Sequence, residues 1–342
     1  MKKSKYNVAV IGVGAVGIEM LRVLKQRNFP VQELRVFARS SRDIDVDGQI
    51  YSVRPISPEG FEGIDIALFA GTEGEKGAAV TYAVEAVKRG AVVIDNGADF
   101  RMDPKVPLVV PEVNAADIKK HKGIIANPNC STIQMVVALN PIHKKAGVKR
   151  IIVTTLQASS GAGKGAVEQL KEENSLIAQG GFSNVRVSAV NKSMPQQLAY
   201  NVFPHIGSFV EGGYTNEEWK LVKETHKIMH APKIKISATT VRVPVRTGHS
   251  ESIYIETIRP ISVDQVKAIF SKAPGIILMD EPESNIYPMP KDVEGRDETF
   301  IGRIRKDAFV KNGLWLWVVA DNLRKGAATN AVQIAECLIK KA

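Results

Sequence analysis

The sequence predicts a two-domain α/β chain: a doubly wound domain on a mainly parallel sheet, then an α+β domain whose sheet is mainly antiparallel. Three observations carry this. A short apolar strand runs straight into a glycine turn and a helix near the N-terminus. Strands and helices then alternate to about residue 130. From Lys149 onward the pattern changes to longer strands with alternating polarity.

The first strand is Asn7–Ile11, short, apolar and rich in β-branched side chains, as a strand buried on both faces requires. Gly12-Val13-Gly14-Ala15-Val16-Gly17 follows at once, and Ile18–Leu24 continues as an amphipathic helix. Between a strand and a helix, these glycines form a dinucleotide fingerprint. The first makes the turn, the second lets the backbone approach a pyrophosphate, and the third packs helix on strand. The domain is therefore expected to be Rossmann-type. The next strand, Glu33–Ala38, ends in Arg39-Ser40-Ser41-Arg42 where a ribose-binding acid usually stands. Guanidiniums and hydroxyls suit a 2′-phosphate, so the expected cofactor is NADP.

Further strands are expected at Ile64–Ala70, Ala91–Asp95, Leu108–Val110 and Ile124–Ala126, with a helix over Ala78–Arg89. Gly12, Thr72, Asn96 and Cys130 all follow strand ends, so they should share one sheet edge, where such sheets bind ligands. In the second half, strands are expected over Arg150–Gln157, Ala238–Val245 and Ser252–Ile258, and an amphipathic helix over Gly326–Ile339. The domain boundaries read as 1–129 for the dinucleotide domain, completed by a C-terminal helix in 323–342, and 130–322 for the second domain, to which the family resemblance given below assigns catalysis and dimerisation. A helical stretch at 171–190 is a candidate for the dimer interface.

Composition narrows the function classes. The chain has 342 residues, 44% hydrophobic and 24% charged, ordinary values for a globular protein. No apolar run approaches the roughly 20 residues of a membrane span, and no signal-peptide core precedes the first strand. Two cysteines, Cys130 and Cys337, make no disulfide framework, so a reducing cytoplasm is expected. No Cys/His cluster has zinc spacing, so no metal is expected. The net charge is +10, but the basic residues are scattered and aromatics are only 6%, which argues against nucleic acid and for small anionic ligands.

Asn127-Pro128-Asn129-Cys130-Ser131-Thr132 puts a thiol at the start of the apolar run Ile133–Leu139. A helix N-terminus favours thiolate over thiol, and thiolate is the nucleophile. A buried structural cysteine is the plain alternative for this segment taken alone.

The chain resembles the bacterial aspartate-β-semialdehyde dehydrogenase family from the first strand to the last helix. The resemblance is carried by the glycine turn, Pro111-Glu112-Val113-Asn114, Asn127–Thr132, Ser160-Gly161-Ala162-Gly163, Arg242-Val243-Pro244-Val245 with His249, and Asp321-Asn322. It implies NADPH-dependent reduction of L-aspartyl-4-phosphate to L-aspartate 4-semialdehyde and phosphate. That step serves lysine, threonine, methionine and diaminopimelate biosynthesis, and the expected assembly is a homodimer or homotetramer. It also implies roles: Cys130 as nucleophile, His249 as acid/base, and Gln157 as the residue positioning the intermediate. Arg242 and Glu217 would hold the α-carboxylate and α-ammonium, with Lys220, Arg101 and Asn129 on phosphate. The cofactor set would be residues Gly12 to Gly17, Arg39, Ser40, Ser41, Thr72, Ser160, Gly161, Gly163 and Asn322. Glu217 and Lys220, three apart on a helix, would otherwise read as a surface ion pair. His249 is expected in a polar turn between two strands.

Asn96-Gly97-Ala98-Asp99-Phe100-Arg101 departs from the family's Asn-Ser-Ser-Ala-Phe-Arg, losing two hydroxyls. Two other readings are N-acetyl-γ-glutamyl-phosphate reductase, which would leave Glu217 no cation to bind, and a dinucleotide sensor, which would need neither nucleophile nor base.

Overall fold

The computed structural model describes residues 3–71, 77–180 and 193–341. The chain divides into two compact units. The first comprises Met1–Asn129, Lys227–Met229 and Gly326–Ala342; the second comprises Cys130–His226 and His230–Lys325.

In the first unit β1 (Tyr6–Ile11), α1 (Ala15–Gln26), β2 (Val31–Ala38), β3 (Arg42–Val46) and β4 (Gln49–Pro55) are followed by β5 (Ile66–Phe69), α2 (Ala78–Lys88), β6 (Val92–Asp95), the short α3 (Pro111–Asn114) and β7 (Ile124–Ala126). The strands form one seven-stranded sheet in the order β3-β4-β2-β1-β5-β6-β7, parallel except for the β3–β4 hairpin. Both faces are covered. Val8 and Val10 of β1 pack with α1 and the C-terminal helix, while Ala9 and Ile11 pack with Phe61, Phe69 and the alanines of α2. This two-sided burial is why β1 is apolar at every other position on both faces.

Two elements differ from the sequence reading. Residues 108–110 do not form a strand; only Leu108 bridges Ala126. Side chains claim the backbone instead. Asn114 accepts the Val110 N–H and donates to the Leu108 carbonyl, both at 2.9 Å, and Asn330 donates to the Val109 carbonyl at 2.9 Å. The β3–β4 hairpin was not expected, although Asp47-Gly48 turns it with both residues at positive φ (54° and 80°), the conformation an Asp-Gly hairpin turn needs.

The second unit contains α4 (Cys130–Ala146), β8 (Val148–Gln157), α5 (Lys164–Gly180), α6 (Asn216–Ile228), β9 (Lys235–Arg242), β10 (His249–Thr257), α7 (Val263–Phe270), β11 (Ile276–Leu278), α8 (Pro290–Val293), β12 (Thr299–Lys306) and β13 (Gly313–Ala320); α9 (Thr329–Lys341) closes the chain and belongs to the first unit. Its six strands run β11-β12-β13-β10-β8-β9, antiparallel through the centre with a parallel pair at each edge. α4 lies on this sheet, buried without interruption from Ser131 to Asn140, so its apolar residues carry no periodic stripe. Of the stretch 171–190, residues 171–180 lie in α5; the rest is outside the described residues. Among the described residues no helix is long and apolar enough to cross a membrane.

Candidate active site

In the first unit, the glycine turn meets the demands of each position. Gly12 has φ +99°, which favours glycine. A Cβ on Gly17 would stand 1.9 Å from the Gly12 carbonyl oxygen, so α1 approaches β1 only because residue 17 has no side chain. Gly14 is different: a Cβ there would meet no protein atom within 4 Å, and as N-cap of α1 it provides no side-chain cap. The protein itself does not require glycine at 14, whereas a pyrophosphate lying on the helix N-terminus would. Val13, Ala15 and Val16 complete the turn. The Gly12 N–H donates to Phe37 O at 2.8 Å, which places the turn beside the end of β2. There Arg39, Ser40 and Ser41 are exposed, with Arg42 donating to Ser40 Oγ at 3.2 Å. These groups fit a phosphorylated ribose. Thr72 lies outside the described residues.

Arg101 is in the same unit and is 5% exposed. Its guanidinium donates to the carbonyls of Asn127 (2.9 Å) and Asn96 (2.8 Å), fixing its position after β6 and β7. Lys227 Nζ donates to the carbonyls of Arg101, Asp103 and Val106 at 2.7, 2.7 and 2.8 Å, which secures the loop Arg101 begins. Asn129 is buried at the last position of the unit's N-terminal stretch.

In the second unit, Cys130 is the first residue of α4, half-buried and free of any disulfide. Gln157 ends β8 and Arg242 ends β9, and the parallel register pairs these two residues directly. That register explains how side chains 85 residues apart meet. Gln157 Nε2 donates to Glu217 Oε1 at 3.2 Å, and Glu217 Oε2 in turn faces Lys220 Nζ at 3.4 Å. The Glu217–Lys220 pair shares a face of α6, and its side chains are only 9% and 20% exposed, so it is no solvated surface pair.

Arg242 Nη1 donates to the Ala158 carbonyl at 2.5 Å and the Gln157 carbonyl at 3.3 Å, while its Nε is buried without a hydrogen-bond partner. Burial works against its charge; Cys130 and Glu217 support it. The interaction is mutual, so the guanidinium favours the Cys130 thiolate.

His249 opens β10 and is fully buried, rather than lying in a polar turn. Gly248, at φ +94°, takes the turn in its place. The Ala158 N–H donates to His249 Nδ1 at 3.0 Å, so the neutral ring carries its proton on Nε2. Burial, and secondarily Arg242, holds the ring's pKa well below its ordinary value. Nε2 has no hydrogen-bond partner and faces the glycine turn. A Cβ on Gly161 would lie 2.9 Å from His249 Cε1 and 3.0 Å from Nε2. Gly163, at φ +89° and ψ −177°, has open space around it.

Ser160 Oγ and Asn322 Nδ2 are 2.9 Å apart, and Asn322 Oδ1 accepts the Gly248 N–H at 2.9 Å. Asn322 thus ties the 160 turn to the 248 turn. Sequence reading missed two buried polar residues, Gln134 on α4 and Glu251 on β10. Their positions signal them: Gln134 is one helical turn after Cys130, and Glu251 is on the same strand face as His249.

Known proteins match this arrangement along the whole chain. Residues 7–121 match the family model for the semialdehyde dehydrogenase NAD binding domain, and residues 139–325 match that for the semialdehyde dehydrogenase dimerisation domain. The aspartate-semialdehyde dehydrogenase of Aquifex aeolicus is 53% identical over 98% of both chains. Among solved structures, aspartate semialdehyde dehydrogenase II of Vibrio cholerae, complexed with ASA, superposes with TM-score 0.92 at 43% identity over 99% of both chains. The Candida albicans enzyme, solved with NADP, gives TM-score 0.72 at 25% identity over 98% of both chains. With both units matched in order and a relative of this identity covered end to end, the chain belongs to the aspartate-semialdehyde dehydrogenase family.

Proposed function

We propose that the chain is an NADP-dependent aspartate-semialdehyde dehydrogenase, reducing L-aspartyl-4-phosphate to L-aspartate 4-semialdehyde and phosphate in the cytoplasm, as a homodimer built through its dimerisation domain. The observation that carries the chemistry is the convergence on Arg242. Its field couples to Cys130, Glu217 and His249, and its Nε is buried and available.

Arg242 holds the substrate α-carboxylate and Glu217 its α-ammonium, with Glu217 oriented by Gln157 and Lys220. Lys220, Arg101 and Asn129 serve phosphate. Cys130 thiolate attacks the acyl carbon, the carbon–sulfur bond forms, and the carbon–oxygen bond to phosphate breaks, leaving a thioester. The nicotinamide, when bound, supplies the hydride that this thioester accepts. The resulting thiohemiacetal oxyanion collapses to the aldehyde and returns the electron pair to Cys130 sulfur. His249 acts on each adduct through its Nε2 proton, lent to the oxyanion and recovered on collapse. Gln157 keeps the adduct in place without competing for protons. The glycine turn of 12–17 carries the pyrophosphate; Arg39, Ser40 and Ser41 accept the 2′-phosphate; and Ser160, Gly161, Gly163 and Asn322 border the nicotinamide.

The test is phosphate-dependent reduction of NADP with L-aspartate 4-semialdehyde, beside NAD and beside N-acetyl-L-glutamate 5-semialdehyde. Turnover with the first substrate is expected. Turnover only with the acetylated one would overturn the reading.

A further inference from the structure

Cys130 and Gln134 stand four apart on α4, one above the other. His249 and Glu251 stand two apart on β10, pointing to the same face of the sheet. Gln134 connects the two pairs. Its Nε2 donates to the His249 carbonyl at 3.4 Å, and its amide lies beside the Glu251 carboxyl without closing a well-aligned bond. Both side chains are sealed from solvent, at 1% and 0% exposure.

The hydrogen-bonding balance is the informative part. Glu251 Oε1, Glu251 Oε2 and Gln134 Oε1 are all buried, and none has a hydrogen-bond partner. The carboxyl oxygens close no bond of normal geometry, and the Gln134 amide acts on them only weakly. The residues opposite Glu251 in the sheet, Thr155 and Val318, bring no charge. His249 stands two residues away on the same face; Arg242 acts on His249, whereas burial and the Gln134 amide act on Glu251. An ionised carboxylate would be left unsatisfied here, which proteins avoid by neutralising the group. A proton on Glu251 removes that unsatisfied charge, with the Gln134 amide beside the neutral carboxyl. Burial accordingly pushes the acid well above its ordinary range, and Gln134 lowers it only secondarily.

We propose that Gln134 and Glu251 form a buried positioning pair, with Glu251 a neutral carboxylic acid, that fixes the nucleophile helix against the strand carrying His249. Neither residue touches substrate. They act through α4 and through the His249 main chain. The inference rests on the proposed function for its kinetic consequence and not for its proton.

Two measurements on the intact enzyme test it. The infrared difference between wild type and E251Q at neutral pH should show the carbonyl stretch of a neutral carboxylic acid, absent from the variant. Carboxylate bands in its place would overturn the proton assignment, whatever the substrate proves to be. In kinetics, E251Q should keep kcat within about threefold and leave the pH profile of kcat/KM unshifted, whereas Q134L should lower kcat about tenfold or more with KM nearly unchanged. An acid limb moved downward in E251Q would mean a charge that had been supporting the imidazolium, and would overturn the neutral assignment. The double variant Q134L+E251L removes the unmet side-chain polar atoms together and should recover most of the thermal stability that the single leucine variants lose, but not kcat. Recovery of kcat together with stability would overturn the positioning role. Silence of wild type toward L-aspartate 4-semialdehyde would count against the proposed function, with the infrared band still deciding the proton.

Discussion

Ala158 donates its backbone N–H to Nδ1 of His249 at 3.0 Å, and this bond decides which ring nitrogen carries the proton. Protonating Nδ1 would set two N–H groups against each other in a site closed to water. The ring is therefore expected as the neutral Nε2–H tautomer at neutral pH, read by nitrogen chemical shifts of labelled histidine; a protonated Nδ1 would sink this. The lowered pKa of the folded ring also fixes a sign. The unfolded chain takes up the proton first, so relative to H249Q, wild-type stability should be complete above about pH 6.5 and fall as pH drops through the window below it.

Arg242 presents a buried Nε with no partner, and its Nη1 is already committed to two carbonyls. Lysine cannot reproduce that fork. R242K should lower kcat/KM for L-aspartate 4-semialdehyde by about 30-fold, equivalent to about 2 kcal/mol for a charge-assisted contact. An unchanged kcat/KM would remove the residue from the carboxylate site.

C130A should lose activity by about a thousandfold or more while still binding NADP, as expected of a nucleophile without a substitute. In the wild type, iodoacetamide should label Cys130 before Cys337 at neutral pH, because the helix N-terminus and Arg242 both favour its thiolate. Preferential labelling of Cys337, mapped by mass spectrometry, would contradict this.

The second and third glycines of the first turn should fail differently. G17A drives a methyl into the Gly12 carbonyl and should cost about 2 kcal/mol of stability or more. G14A meets no protein atom, so its melting temperature should stay close to wild type while its affinity for NADP falls. Equal affinity in G14A, by titration calorimetry, would place the pyrophosphate elsewhere.

The parts legible in the sequence were those whose reasons are local. Asn7–Ile11 and the glycine turn specify strand, turn and helix within a dozen positions, and the change of pattern after Lys149 announces the second sheet. The β3–β4 hairpin is equally local, since Asp47-Gly48 specifies its turn. Other features depend on distant partners. Residues 108–110 have strand composition but give their backbone groups to Asn114 and to Asn330, over two hundred positions away. His249 was identified through its family motif, yet its burial and tautomer come from Ala158 and the sheet. Gln134 and Glu251 are marked only by their spacing from Cys130 and His249, and that they face each other shows only once helix and strand are packed.

Gly161 and Gly163, so close in the chain, exclude other residues on unrelated grounds. At 161 the obstacle is bulk, since the β-carbon of an L-residue enters the space of the His249 ring. At 163 there is ample room, and the obstacle is handedness: φ +89° with ψ −177° mirrors the extended conformation of an L-residue. A D-amino acid introduced by chemical ligation would satisfy the backbone at position 163. The first glycine is kept by the His249 ring packed against it; the second is kept by the ribosome's restriction to one hand.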